Sequence, residues 1–323
     1  MLKNNHMDLS IIISLYNEEE SINELVLWIN KTFEQKNLSY EIIIINDGST
    51  DSSWKIIEKL SENHPEIRGI CFRRNYGKSA ALYSGFEAAL GDIVVTMDAD
   101  LQDSPEEIPE MMRMIKEDDY DIVSGWKKKR HDGIFTKNIP SKIYNATARK
   151  VTGIKLHDMN CGLKAYKNEV VKSIEVYGEM HRYIPYLAKN AGYNNIGEKV
   201  VKHQARKYGK SKFGVDRFFH GFLDLISVWF LQKFGKKPMH FFGVIGTLMF
   251  ICGFIIAIWL IIDKLITQAH ALVYRPVTEQ PLFYIALVAV IVGVQLFLVG
   301  FIGELISRNS IERNRYDIKK RIH

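Results

Sequence analysis

From Asp8 to about Gly125, short and largely apolar runs alternate with longer stretches in which apolar residues recur at helical spacing. LSIIISL (from Leu9), YEIIIIN (from Tyr40), IRGICF (from Ile67), DIVVTM (from Asp92) and YDIVSG (from Tyr120) predict strands. Helices are predicted from about Glu19, Asp51, Lys78 and Pro105. Ser49-Thr50-Asp51 can cap the second, and Ser104-Pro105 fits an N-cap followed by proline at the first helical position. Strands that are apolar on both faces, separated by helices, indicate an α/β fold with a mostly parallel sheet covered on both sides. Ligands of such sheets gather at the carboxyl ends of the strands. That rim would carry NDGSTD (from Asn46), RRNYGK (from Arg73) and DADLQD (from Asp98).

Beyond Gly125 the pattern becomes irregular and basic. WKKKRHDG (Trp126–Gly133) precedes a helical pattern near Ser141–Val151, then HDMNCGLKAY (from His157) and KHQARKYGKSKFG (from Lys202). The latter reads as a mobile cationic loop, and WKKKR as a solvated loop or an attractor of phosphate. Residues 215–237 set a Phe/Leu/Trp face beside Asp216, His220, Asp224 and Lys233, the pattern of an amphipathic helix lying at a membrane interface or packed on the preceding domain. Two runs then stand apart. Phe241–Ile262 has no charged residue, and Leu282–Gly303 has Gln295 as its one strongly polar side chain. At about 1.5 Å per residue, each can cross a hydrocarbon layer of about 30 Å. A buried pair of helices in a soluble core is the competing interpretation.

The net charge of +6 raises the question of nucleic acid, and the placement of the charges answers against it. Lys233, Lys236 and Lys237 precede the first apolar run, and Arg308, Arg313, Arg315, Lys319, Lys320 and Arg321 follow the second. The intervening loop has only Lys264 and Arg275, offset by Asp263 and Glu279. Positive flanks of this kind put both termini on the cytoplasmic side and favour anionic lipid head groups. Cys71, Cys161 and Cys252 are too far apart to read as a disulfide framework or a metal cluster. DLSIIISLY near the start is too short for a signal peptide.

Asp98, Asp100 and Gln102 alternate at the end of a predicted strand. Carboxylates so close repel one another unless a cation sits among them, and oxygen ligands suit Mg2+ or Mn2+. A site with so few protein ligands leaves room for a diphosphate to complete the shell. YGKSA (from Tyr76) and YGKSK (from Tyr208) are not P-loops, since the required upstream glycine is Phe72 in one and Gln204 in the other. No G-x-G-x-x-G follows the first strand, so kinase and dinucleotide readings lose their support.

SLYNEEESI, INDGSTDSS, RRNYGKSAALYSGFEAALGD and MDADLQDSPEEIP, in that order, resemble the successive motifs of family-2 glycosyltransferases of the GT-A fold. With HDMNCGLKAY, ARKYGKSKFG and the two apolar runs, the chain is similar over nearly its whole length to polyprenyl-phosphate glycosyltransferases, the group of dolichol-phosphate mannose synthase and bactoprenol glucosyltransferases. There are departures. Ser14 or Leu15 stands where many members have proline, Asn46 replaces a frequent acidic residue, and Gly162 stands where some members carry an aspartate proposed as base.

The resemblance implies a Rossmann-like GT-A domain over residues 1–214, in the cytoplasm. It implies an interfacial helix at 215–237, a transmembrane hairpin within 238–306, and a basic cytoplasmic tail at 307–323, the whole held at the inner membrane. It further implies that Tyr16, Asn17, Glu18 and Asp47 hold the nucleoside and that Arg73, Asn75 and Lys78 line the same cleft. Asp98, Asp100 and Gln102 would bind Mg2+ or Mn2+, Arg206 and Lys212 would close over the phosphates, and Asp158 would orient acceptor or sugar. The implied reaction is metal-dependent, inverting transfer of a hexose from a nucleotide-sugar, UDP-glucose being one option, to a lipid such as undecaprenyl phosphate. Homo-oligomers, a processive polysaccharide synthase and a non-catalytic membrane scaffold remain open alternatives. The synthase is disfavoured because Q-x-x-R-W is absent and QARKY (from Gln204) does not match it.

Overall fold

The computed structural model describes residues 6–34, 36, 38–128, 146–149, 152–208, 230, 234, 237–270 and 275–309. The expected interfacial helix at 215–237, apart from residues 230, 234 and 237, lies outside them, as do Lys212 and nearly all of the 307–323 tail. Of the helical pattern near Ser141–Val151, residues 146–149 are described and are helical. The chain divides into two compact units, Met1–Ile226 and Ser227–His323.

The first unit is built on seven strands: β1 (Leu9–Leu15), β2 (Tyr40–Asn46), β3 (Ile67–Cys71), β4 (Ile93–Asp98), β5 (Ile122–Trp126), β6 (Lys164–Lys167) and β7 (Ile196–Val200). Their order across the sheet is β3-β2-β1-β4-β6-β5-β7. The β3-β2-β1-β4 half is parallel throughout, as is β5 with β7, while β6 runs antiparallel to both β4 and β5. Helices α1 (Ile22–Phe33), α2 (Ser53–Asn63), α3 (Lys78–Ala88) and α4 (Ile108–Glu117) connect the parallel strands, and α5 (Asn168–Ser173) and α6 (Ile184–Asn190) follow β6.

Alternation along the apolar strands explains the two layers of helices. Ile11, Ile13, Ile42 and Ile44 face a core shared with Leu25, Val26 and Ile29 of α1 and Met111 and Ile115 of α4. Ile12, Ile43 and Ile45 face the other, shared with Ala81, Leu82 and Phe86 of α3 and with Val170 and Ala188. β1, β2, β4 and β5 bury both faces, which is why their polar positions are so few, whereas β3 at the sheet edge is largely exposed. Ser104 caps the turn at Pro105 as expected, accepting from the Glu106 N–H at 3.3 Å. At α2 the cap is Asp51, whose Oδ1 accepts the Ser53 N–H at 3.0 Å; Ser52, at the N-cap itself, makes no side-chain cap bond.

Strands β6 and β7 were not expected. KAYK and IGEKV are short and half polar, so neither carries a period-2 signal, and both exist because neighbouring strands leave edges to pair.

The second unit contains α7 (Met239–Ala269) and α8 (Pro281–Asn309), each longer than its apolar run. Both are long and apolar enough to cross a membrane, with mean hydropathy 2.7 and 2.8 over their most apolar windows. Large apolar side chains such as Trp259, Phe254 and Ile302 are exposed, so among the described residues these helices are not buried as a core. They pack antiparallel: a methyl group on Gly246 would lie 2.6 Å from the Gly293 carbonyl oxygen, and one on Gly253 would lie 2.7 Å from that of Ala286. Small residues let the backbones approach where lipid offers no hydrophobic driving force.

Candidate active site

Three loops converge at the carboxyl ends of β1, β2 and β4. After β2 the chain turns at Gly48, whose φ of +68° suits glycine, and a side chain there would strike the Arg74–Asn75 backbone, 2.6 Å from Asn75 N. Asp47 fixes the same loop from within: Oδ1 accepts the Tyr76 N–H at 2.7 Å and Oδ2 the Gly77 N–H at 2.9 Å. Burial outweighs these two bonds and raises the Asp47 pKa. Asp47 therefore ties the loop after β2 to the loop after β3. Arg73 and Asn75 stand exposed on the latter loop.

The turn after β1 carries Tyr16, Asn17 and Glu18. Asn17 has a φ of +54°, a region asparagine tolerates better than most residues. Its Oδ1 accepts the Thr50 N–H at 2.8 Å, and its own N–H donates to Ser49 Oγ at 2.9 Å. The Glu18 N–H donates to Ser53 Oγ at 3.1 Å. Tyr16-Asn17-Glu18 and the 47–53 turn are thus knit into one ledge.

β4 ends on Asp98, and the backbone then bends at Leu101, where φ is +61°. A buried leucine in the left-handed region is a strained feature, and such strain concentrates at functional sites. The bend lets Asp100 Oδ1 accept the Gln102 N–H at 3.2 Å. Lys78, at the start of α3, pairs with Asp98. Burial alone would raise the Asp98 pKa, but Lys78 and then Lys127 hold it well below the usual carboxylate range. Asp100 goes the other way. Burial, then the Asp98 charge, pushes it up to about 6. An acid held partly protonated beside an ionised neighbour, with oxygen donors on both, suits a hard divalent cation. Among the described residues no set of three or more His, Cys, Asp or Glu side chains forms a metal site, so such a cation would draw further ligands from elsewhere. The Gln102 amide is engaged on its nitrogen side, where Nε2 donates to the Gln204 carbonyl at 3.4 Å.

Within the WKKKR segment Lys128 is exposed, as in the solvated-loop reading, Lys129 and Arg130 lie outside the described residues, and Lys127 departs from both readings. It points inward and pairs with the fully buried Asp103 at 2.7 Å, because that carboxylate has to be neutralised in the core. Lys128 lies over the Trp126 ring, 5.6 Å from its centroid. A second buried lysine, Lys164 of β6, donates to the Cys161 carbonyl, and burial lowers its pKa. Neither inward orientation has a local sequence signal.

The segment after β7 crosses this rim. His203 bridges to Asp103, and the Gln204 N–H donates to the Gln102 carbonyl at 2.9 Å. Arg206 then pairs with Glu18 and Lys207 pairs with Glu24 at 2.7 Å, while the Tyr208 hydroxyl reaches Glu24 at 3.2 Å. The structure therefore places Arg206 on the Glu18 ledge.

Asp158 is buried in the loop between His157 and Gly162, and its Oδ1 accepts the Asn160 N–H at 3.2 Å. The far end of that loop rests on β4. Thr96 Oγ1 donates to the Gly162 carbonyl at 2.9 Å, and a methyl group on Gly162 would lie 2.7 Å from Asp98 Cγ. The near end is held by Glu198 of β7, a residue the sequence did not single out. A lone glutamate in a short polar strand offers nothing by which to find it.

A family model described as Glycosyl transferase family 2 matches residues 10–175. The dodecaprenyl-phosphate galacturonate synthase of Rhizobium johnstonii is 34% identical over 304 residues, covering 94% of this chain and 88% of its own. The undecaprenyl-phosphate 4-deoxy-4-formamido-L-arabinose transferase of Proteus mirabilis is 35% identical over 319 residues, covering 96% and 93%. Among solved structures, the UDP complex of glucosyl-3-phosphoglycerate synthase from Mycobacterium tuberculosis superposes with a TM-score of 0.53 at 18% identity, over 70% of this chain and 80% of that one. Mannosyl-3-phosphoglycerate synthase from Rubrobacter xylanophilus gives 0.56 at 14% identity, over 70% and 75%. Those two likenesses speak to the fold.

Proposed function

We infer the reaction from one premise, that this chain belongs to glycosyl transferase family 2. We propose that it transfers a sugar from a UDP-sugar to a polyprenyl phosphate such as undecaprenyl phosphate, with inversion at the anomeric carbon. The observation that carries this reading is the Asp98–Asp100 pair at the end of β4 with Lys78 against it, where a diphosphate and its counter-cation would sit. The acceptor is supported by relatives named for dodecaprenyl and undecaprenyl phosphate, which align along more than nine-tenths of the chain. Their named sugars, galacturonate and 4-deoxy-4-formamido-L-arabinose, widen the donor beyond glucose to sugars modified away from the anomeric carbon.

In the proposed reaction an oxygen of the lipid phosphate attacks the anomeric carbon. The bond from that carbon to the diphosphate oxygen breaks, and its electron pair leaves with UDP. The phosphate is already anionic at neutral pH, so no strong general base is needed. Tyr16, Asn17, Glu18 and Asp47 hold the nucleoside, with Arg73 and Asn75 along the same wall. Lys78, Arg206 and Lys212 meet the diphosphate, whose growing negative charge is the main thing to stabilise. Asp158 orients sugar or acceptor. Asp98 and Asp100, with Gln102 beside them in the chain, would hold Mg2+ or Mn2+, which supplies positive charge against the leaving group when bound. Helices α7 and α8 cross the membrane with both termini cytoplasmic, keeping the cleft on the side where the lipid phosphate is presented.

The test is direct. Purified protein in detergent is incubated with undecaprenyl phosphate and a panel of UDP- and GDP-sugars, and mass spectrometry looks for glycosyl-phospholipid. Mn2+ is the first metal to add, since the M. tuberculosis synthase was crystallised with it and UDP-glucose. A product abolished by EDTA and by Asp100→Ala supports the reading. No product from any donor, with folded protein in both detergent and nanodiscs, overturns it.

A further inference from the structure

Glu198 stands on β7, opposite Ser124 of β5, with its side chain largely buried. Its carboxylate makes three bonds to one short stretch of chain. Oε1 accepts the His157 N–H at 2.8 Å and the Asp158 N–H at 3.2 Å, while Oε2 lies 2.7 Å from His157 Nδ1. The His157 ring is also stacked on Trp126, with centroids 4.0 Å apart and planes 12° from parallel. Two backbone donors on one carboxylate oxygen form a strong, directional anchor, since hydrogen bonds to a charged acceptor exceed neutral ones.

The anchored stretch leads straight into the site. Asp158 follows, buried, and four residues later Gly162 lies against the Asp98 carboxylate. The Gly162 end has its own support in the Thr96 bond and in β6. The Asp158 end has Glu198. Loosening Glu198 therefore displaces Asp158 more than Asp98.

We propose that Glu198 is a positioning residue for sugar transfer, holding the His157–Asp158 backbone so that Asp158 keeps its place in the loop that ends against Asp98. It touches neither donor nor acceptor. The inference rests on the glycosyl-transfer reading and on Asp158 facing sugar or acceptor. A misplacement of about 1 Å costs up to about a hundredfold in rate, so a positioning residue is read in kcat.

The experiment compares Glu198→Ala, Glu198→Gln and His157→Ala in the full-length protein. Glutamine keeps an acceptor for both backbone N–H groups and can donate to an unprotonated His157 Nδ1. His157→Ala removes the ring and leaves the backbone bonds. The expected result is a kcat lower by about tenfold to a hundredfold in Glu198→Ala, with UDP affinity and donor KM close to wild type. Glu198→Gln and His157→Ala both stay near the wild-type rate. Hydrogen exchange of the 155–161 backbone amides rises in Glu198→Ala alone. Should Glu198→Ala not fold, Glu198→Asp, too short to reach, takes its place.

A Glu198→Ala enzyme with unchanged kcat overturns the proposal. So does a kcat loss matched by equal losses of UDP affinity and melting temperature, which would mark a merely structural residue. Wild-type protein that makes no glycolipid overturns the transfer reading instead. The exchange measurement then still decides the anchor, since unchanged protection at 155–161 removes it whatever the reaction.

Discussion

Gly162 lies directly behind Asp98, so close that a methyl group on the glycine would stand 2.7 Å from Asp98 Cγ and nearer still to Oδ2. The relationship ties the 157–162 loop to the end of β4, and it forbids any side chain at 162 while Asp98 keeps its orientation. Asp98 in turn is held by Lys78. The least costly response to Gly162→Ala is rotation of the Asp98 carboxylate out of that pair. The expected outcome is a transfer rate lower by about tenfold or more, with little change in melting temperature. Steady-state kinetics and a thermal melt on the same preparation check it.

At the proposed metal site Lys78 and a divalent cation would compete for the same Asp98 carboxylate. Replacing the lysine by methionine leaves Asp98 without its partner, so Mn2+ binding in the absence of nucleotide is expected to strengthen. Affinity for UDP, which loses a cation, is expected to weaken. Titration calorimetry with Mn2+ and then with UDP separates the two, and parallel changes would count against this competition.

On the same proposal a proton on Asp100 would compete with the metal as well. With its pKa pushed up to about 6, the folded protein binds that proton more tightly than the unfolded chain does, whose carboxyl keeps the ordinary value of 3.8. Metal-free stability from this group therefore falls as pH rises from 3.8 to about 6 and stays reduced above. Asp100→Asn is expected to melt higher than wild type at pH 8 without metal, and the difference to shrink by pH 4.5. For the same reason Mn2+ affinity should fall by about tenfold per pH unit once pH drops below that of Asp100.

Arg206 is paired with Glu18, and a bound diphosphate would have to draw it away. Glu18→Gln keeps an acceptor of the same length for the nucleoside while releasing Arg206, so it is expected to tighten UDP binding several-fold, Arg206→Ala to weaken it, and the double variant to behave as Arg206→Ala. Equilibrium binding of UDP at fixed Mn2+ measures all three. A gain that survives in the double variant would assign the effect of Glu18 to something other than Arg206.

In the hairpin, Gly246 and Gly293 allow the two helix backbones to meet. Gly293→Ile forces them apart and is expected to cost about 1–3 kcal/mol, the usual penalty for overpacking. A lower melting temperature in detergent, with UDP affinity unchanged, is the expected reading.

Much of this architecture is written in local pattern. Uninterrupted isoleucines at 11–13 and 42–45 required a strand with both faces buried, and uncharged runs of some twenty residues required helices with an apolar surround. The order of NDGSTD, RRNYGK and DADLQD along a parallel sheet put them on one rim before any coordinate was known. Tertiary structure decided what depends on partners distant in the chain. β6 inserts antiparallel between β4 and β5 because edges were available there, not because KAYK prefers to be a strand. Lys127 turns inward for Asp103, Arg206 rests on Glu18, and Glu198 holds His157 and Asp158. Each of these joins residues tens to hundreds of positions apart, through a charge or a backbone donor that must find a partner once buried. That requirement acts only after the chain has folded, so no periodicity records it.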